Sequence, residues 1–346
     1  MSQTLALLVD AYRDVNSRKL FWITLVLSGA VVLCFLALGI TPHGMTIFGF
    51  EWKDSPINSE MMEPATFYKI LFIGLGVQMW LTFVAAILAL ISTGGIFPDL
   101  LGGGSIDLYL SKPISRLRLF ITKYFAGLLF ATLQVAAFAF ASLILLRIKS
   151  GAWLPGLLLA IPTVLAYYSY LYCVCVLIGV VTRSTVASIL LTILFMFVVG
   201  GVHSIESKSL LVAEMKNQIV QRRVDRSLRA TPAQRQAAAD EGKWLQTWHR
   251  RLYVVAAALP KTSATVELMQ RWLISAAELP RGESDYYDDE APRSTFFGLT
   301  TDDERARLNA LAILRARPLS WVLGTSFIFE GVVLAVAAWI FCRRDY

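Results

Sequence analysis

Charged residues are missing from most of this sequence. No Asp, Glu, Lys or Arg occurs in Leu20 to Phe50, Ile70 to Phe97, Tyr124 to Leu146, Ser150 to Thr182 or Ser184 to Ile205, and Pro318 to Cys342 holds a single one, Glu330. The 346 residues are 16% charged and 56% hydrophobic, whereas a soluble domain averages about 25% charged. An ordinary soluble enzyme or binding domain is thereby excluded. A helix crosses the roughly 30 Å bilayer core with about 20 apolar residues, and each run reaches that length. The expected fold is an all-α polytopic membrane protein with six transmembrane helices.

Other absences narrow the chemistry. The four cysteines, Cys34, Cys173, Cys175 and Cys342, all lie in predicted spans or at a span end, so no disulfide framework is available outside the membrane. Cys173 and Cys175 are two residues apart and point in different directions on a helix, a poor metal pair. His43, His203 and His249 are scattered and share no ligand spacing. No Walker-type sequence occurs, and the Gly102-Gly103-Gly104 run lacks the Lys-Ser/Thr that completes a phosphate loop. Any ATP hydrolysis therefore belongs to a partner, and no cofactor or metal is expected on this chain. With one acid in the spans, no paired carboxylates and no nucleophile motif, a membrane-embedded enzyme is disfavoured. The first apolar run is long enough to span, which argues against a cleaved leader.

What charge there is gives an orientation. Arg13, Arg18 and Lys19 precede span 1, Lys112, Arg116, Arg118 and Lys123 separate spans 2 and 3, Arg183 separates spans 4 and 5, and Arg343 and Arg344 follow span 6. With six alternating spans these ten share one side, and the opposite short loops carry only Lys53, Lys69, Arg147 and Lys149. By the positive-inside rule both termini and the 92–123 loop are cytoplasmic. The formal net charge of +7 reflects these span flanks rather than a nucleic-acid surface. Residues 1–19 place Leu5, Leu8, Tyr12 and Val15 at helical steps, the pattern of an amphipathic helix on the cytoplasmic membrane surface.

Residues 206–317 hold 18 Lys/Arg and 15 Asp/Glu, more than half the charge of the chain. They read as a mostly helical extracytoplasmic insertion. Leu211, Met215 and Ile219 step by four. Thr231-Pro232-Ala233-Gln234 and Thr301-Asp302-Asp303-Glu304 are helix-start signatures, and Pro260 ends or kinks a helix. Leu252 to Leu259 is apolar but short of a span, and follows Trp244, Trp248 and Tyr253. Two readings stand for it: a segment resting on the outer leaflet, or a helix buried in the insertion. The acidic run Glu283 to Glu290 lacks calcium-loop spacing and reads as a solvated loop. The domain reading is 1–19, 20–205 with a cytoplasmic loop at 92–118, 206–317, and 318–346.

The cytoplasmic loop carries the clearest functional signal. Phe97-Pro98-Asp99-Leu100-Leu101 forms a short apolar segment followed by Gly102 to Gly104, Asp107, and Leu110-Ser111-Lys112-Pro113-Ile114-Ser115-Arg116. An amphipathic turn of this kind suits docking into a groove on a soluble protein. The stretch from Leu110 to Arg116, with Lys123-Tyr124 and the small residues opening span 3, resembles the ABC-2 type permeases, in particular the branch of the nitrous-oxide-reductase maturation permease. Leu259-Pro260-Lys261-Thr262 resembles a further segment of that family. The likeness is specific over about 92–130.

That resemblance implies a coupling helix touching an ATPase, with Phe97, Pro98, Asp99, Leu100, Leu101, Asp107, Lys112, Pro113 and Arg116 as the coupling residues. It implies two ATPase subunits holding ATP and Mg, a second copy of this chain, an exporter, and a cell (inner) membrane location. Gly94 to Asp99 departs from the charged stretch many members carry before the glycine, so Asp99 and Asp107 are the residues carried over to the ATPase contact. The long insertion points to an extracytoplasmic accessory protein. Two functional classes follow: substrate export, or transmission of ATP-driven motion to an external partner.

Glu330 stands near the middle of span 6. Intramembrane acids usually face the bundle interior. It reads either as a lining group of a translocation path or as a carboxyl that ties helices together through Ser, Thr or a carbonyl. Gly179, Gly200 and Gly201 are expected to permit close helix contact, and Pro155 and Pro162 to kink span 4.

Overall fold

The computed structural model describes residues 19–42, 44–52, 59, 63–102, 115–226, 247, 250–251, 253–254, 256–274 and 317–343, with backbone alone at 208 and 210–226. All but the last residue of the amphipathic 1–19 segment, both helix-start signatures at 231 and 301, and the acidic run lie outside these residues. Among the described residues six helices are long and apolar enough to cross a membrane. The chain divides into two compact units, one of residues 1–196, 264–280 and 327–346, the other of 197–263 and 281–326.

In the first unit, α1 (Lys19–Ala37) buries Thr24, Ser28, Val32 and Phe35. Their spacing of three and four puts all four on one stripe, and Trp22, Val26 and Leu33 stay exposed on the other side. The uncharged run from Leu20 to Phe50 does not stay helical. It leaves α1 for a three-stranded antiparallel meander, β1 (Leu38–Thr41), β2 (Gly44–Ile47) and β3 (Phe50–Trp52). Leu38 pairs with Ile47 and Ile47 with Phe50. The all-α expectation misses this sheet. The cause is local: Phe48 and Gly49 both take positive φ, at 51° and 84°, the two-residue turn that matches strand twist, and Ile40, Thr41, Thr46 and Ile47 are β-branched.

The second span, residues 64–101, is built in sections. α2 (Pro64–Leu71) opens with proline at its first turn. A π-helical stretch, Phe72–Ala85, follows. Then come α3 (Ala86–Thr93) and the six-residue α4 (Ile96–Leu101).

α5 (Arg116–Ser150) is capped by Ser115, whose hydroxyl accepts from the Arg118 N–H. It ends at Gly151, left-handed with φ 71°. Pro155 opens a 3-10 turn, Pro155–Leu159, and Pro162 falls within the first turn of α6 (Ala160–Thr182). α6 is the central helix, 72% buried in its span window. α7 (Thr185–Arg226), α8 (Thr262–Leu273) and α9 (Leu319–Arg343) complete the described helices. α7 and α9 are only 22% and 17% buried over their span windows, so most of their apolar surface faces away from this chain.

Aromatic side chains interlock the helices. Phe35 and Phe72 meet Phe138 at 6.3 and 5.9 Å, and Gly76 leaves room for Phe35 and Phe138. α8 comes from the charge-rich insertion, yet it buries Val266, Met269 and Leu273 in the core of the first unit. Gly156 makes room for Leu273.

The second unit has its own polar core. Glu206 pairs with Arg317, whose guanidinium also lies 5.6 Å from the Tyr253 ring and 5.5 Å from the Trp321 ring. Those two rings stack at 5.6 Å. Lys261, buried to 1% exposure, donates to Ala257 O at 3.1 Å and to Thr325 Oγ1 at 2.6 Å, and its ammonium sits 4.1 Å from the Trp321 ring centre. The chain is helical through 256–258 and breaks at Leu259 and Pro260. In that segment Ala256 is buried and Val254 is 64% exposed.

Candidate functional site

The uncharged spans contain one acid, and three helices meet at it. Glu330 of α9 is 9% exposed. Its Oε1 accepts from the Tyr124 hydroxyl of α5 at 2.7 Å and its Oε2 from the Ser169 hydroxyl of α6 at 2.9 Å. Both carboxyl oxygens are thus held by donors from different helices, which is how a polar group is tolerated away from water. The carboxyl is a joint between three helices. Sequence reasoning named Tyr124 only as part of the family-like stretch and passed over Ser169, whose one signal was polarity inside an uncharged run.

From this joint a column of rings leads across the bundle. Tyr124 stacks on Tyr172 at 5.4 Å, and Tyr172 on Tyr168 at 5.6 Å. The Thr93 hydroxyl donates to Ala89 O at 2.8 Å, which leaves its oxygen to accept from the Tyr168 hydroxyl at 2.7 Å. Gly127 makes the column possible, because a Cβ there would overlap the Tyr172 ring. Gly179 likewise admits Pro98, whose Cδ would lie 3.2 Å from an added Cβ. Among the described residues nothing comes within 4 Å of a Cβ at Gly200 or Gly201, which lie on the sparsely packed helix α7.

The 92–118 segment is partly visible. Asp107, Lys112 and Pro113 lie outside the described residues. Phe97, Pro98, Leu100 and Leu101 are buried within the chain and Asp99 is exposed. Phe97 meets Phe120 of α5 at 5.1 Å and Phe341 of α9 at 6.3 Å, and Phe120 meets Phe341 at 5.6 Å. The apolar face of α4 is therefore spent inside the bundle, and a partner approaching this helix finds Asp99. Arg116 donates to Cys342 O at 3.2 Å, a basic side chain on a carbonyl of the last turn of α9. α4, the start of α5 and the end of α9 thus form one block, and Tyr124 with Glu330 adds a second tie between α5 and α9.

Among the described residues no three His, Cys, Asp or Glu side chains come together in a way that would hold a metal ion. Compared with models of known families, with curated proteins and with solved structures, the chain matches nothing.

Outside the spans, Lys261 has the most altered titration. Burial pushes its ammonium down to about 8, helped by Arg317 and opposed by Glu206. The folded state binds this proton less tightly than the unfolded chain does, so the cost of burying the charge is full below pH 8. That cost fades as pH rises from about 8 towards the ordinary lysine value of about 10.4. Wild type is therefore expected to gain melting temperature relative to Lys261→Met as pH rises from 7 to 10. A difference between the two that stays constant over that range would remove the argument.

Proposed function

We propose that this chain is the membrane subunit of an ABC-2 type exporter. In this reading two copies pair in the cell membrane with both termini cytoplasmic. Two separate ATPase subunits hold ATP and Mg below them and press on the 92–118 loop. The observation that carries the reading is the block formed by α4, the start of α5 and the end of α9. A push on Asp99 has a rigid route into two spans: through Phe97 to Phe120 and Phe341, and through the Arg116–Cys342 and Tyr124–Glu330 ties. Such a block moves as a body, as a two-state transporter requires.

A second reading, ATP-driven motion handed to an extracytoplasmic protein without transport, is favoured by one feature. α9 is one continuous helix from Leu319 to Arg343.

Asp99→Lys tests the shared premise. The side chain is exposed, and the melting temperature of the variant, measured alongside, separates a lost contact from a lost fold. Reversing a charge at an interface should cut recovery of the ATPase subunit with the tagged chain by about tenfold, which corresponds to about 1.4 kcal/mol. Full recovery of an ATPase with the variant would rule Asp99 out as the contact.

A further inference from the structure

A small cavity inside the first unit points to a ligand no other part of the account uses. Its walls are mostly methyl groups, among them Ala85, Ala89 and Ala131, with three polar side chains facing it: Ser28 of α1, Gln134 of α5 and Tyr168 of α6. One flank, Leu81 and Ala85, belongs to the π-helical stretch. Such backbone is rare and concentrates at functional positions. The free volume is about 10 Å³, the room of one water molecule.

The hydrogen bonds leave a specific vacancy in the pairing. Gln134 is 4% exposed and its Nε2 has no partner. A buried amide N–H without a partner is costly. The other two groups have bonding capacity left. Ser28 Oγ accepts from Trp80 Nε1 at 3.0 Å and keeps its own proton to give. The Tyr168 hydroxyl donates to Thr93, as argued above, and keeps a lone pair to accept with. A water oxygen would take protons from Gln134 and Ser28 and give one to Tyr168, three bonds in all, the usual number for a buried water.

We infer that this cavity is a built water site, with Gln134, Ser28 and Tyr168 as its ligands. The water extends the polar column from Glu330 through Tyr124, Tyr172 and Tyr168 to Gln134, Ser28 and Trp80. Hydrogen bonds and stacked rings then follow one another from α9 through to α1. The claim stands whether or not the chain is a transporter subunit.

Gln134→Leu is close in size and cannot bind water. If the cavity holds water, the substitution strands Ser28 and Tyr168, and the melting temperature of the full chain in lipid nanodiscs falls by about 3 °C or more. If the cavity is dry, the same change removes an unpaired amide, and the melting temperature stays level or rises, which overturns the inference. A high-resolution map of the wild-type chain gives the independent reading. A density peak within hydrogen-bond distance of Gln134 Nε2 supports the site, and an empty cavity refutes it whatever the variant does.

Discussion

Glu330→Ala is expected to cost the bundle about 2 kcal/mol, because it strands the buried Tyr124 hydroxyl that now donates to the carboxyl and leaves Ser169 only its own-helix acceptor, Ala166 O at 2.9 Å. It also breaks one of the two ties between α5 and α9. Little folded protein should survive detergent extraction. Glu330→Gln separates the bonding from the charge. One amide oxygen still accepts, and the hydroxyl that faces the new N–H can turn and accept in its place. Interhelical hydrogen bonds in membranes average about 0.6 kcal/mol, so the Gln variant should lose no more than about 1 kcal/mol and remain extractable. Size-exclusion profiles after graded heating measure both. An Ala variant as heat-resistant as wild type would show that the three-helix joint carries no weight.

The second large effect is expected from a single methyl group. Gly127→Ala puts a Cβ into the Tyr172 ring. That ring cannot swing aside, because Tyr124 stacks on one face and Tyr168 on the other. Overpacking of this sort costs about 1–3 kcal/mol, and here the upper end is expected since three rings must shift together. Gly29→Ala is the control. Nothing lies within 4 Å of a Cβ there, so the helix preference for Ala over Gly should leave it neutral or slightly stabilised. Adding Tyr172→Leu to Gly127→Ala should recover part of the loss. If the two glycine substitutions behave alike in a melting experiment, the ring column is not a packing constraint.

How much of this was legible in the sequence follows from the physics of each element. The six long helices were visible because hydropathy acts on whole runs and does not depend on which way a side chain faces. The meander after Ala37 was hidden by that same uniformity. Thr41-Pro42-His43-Gly44 and Phe48-Gly49 are turn signals, but they sit in a run with no charge to mark its end. Glu330 announced itself as the one acid in the spans. Its partners did not, since selecting Tyr124 and Ser169 from many Tyr and Ser residues depends on the rotation of three helices. The apolar face of α4 was legible as amphipathic, yet sequence could not say whether it faced a partner or the bundle. Phe120 and Phe341, far from Phe97 in the chain, decide that. Lys261 looked like one charge among many in a water-facing insertion, and only the packing of Trp321, Thr325 and Ser326 around it reveals a buried ammonium.

The central claim is that a separate ATPase drives this chain, and purification from native membranes in mild detergent tests it most directly. Mass spectrometry of the co-eluting proteins should find a soluble subunit with Walker and ABC signature sequences, at one copy per copy of this chain. Recovery of intact chain with no such subunit, under conditions that keep other membrane complexes together, would contradict the account.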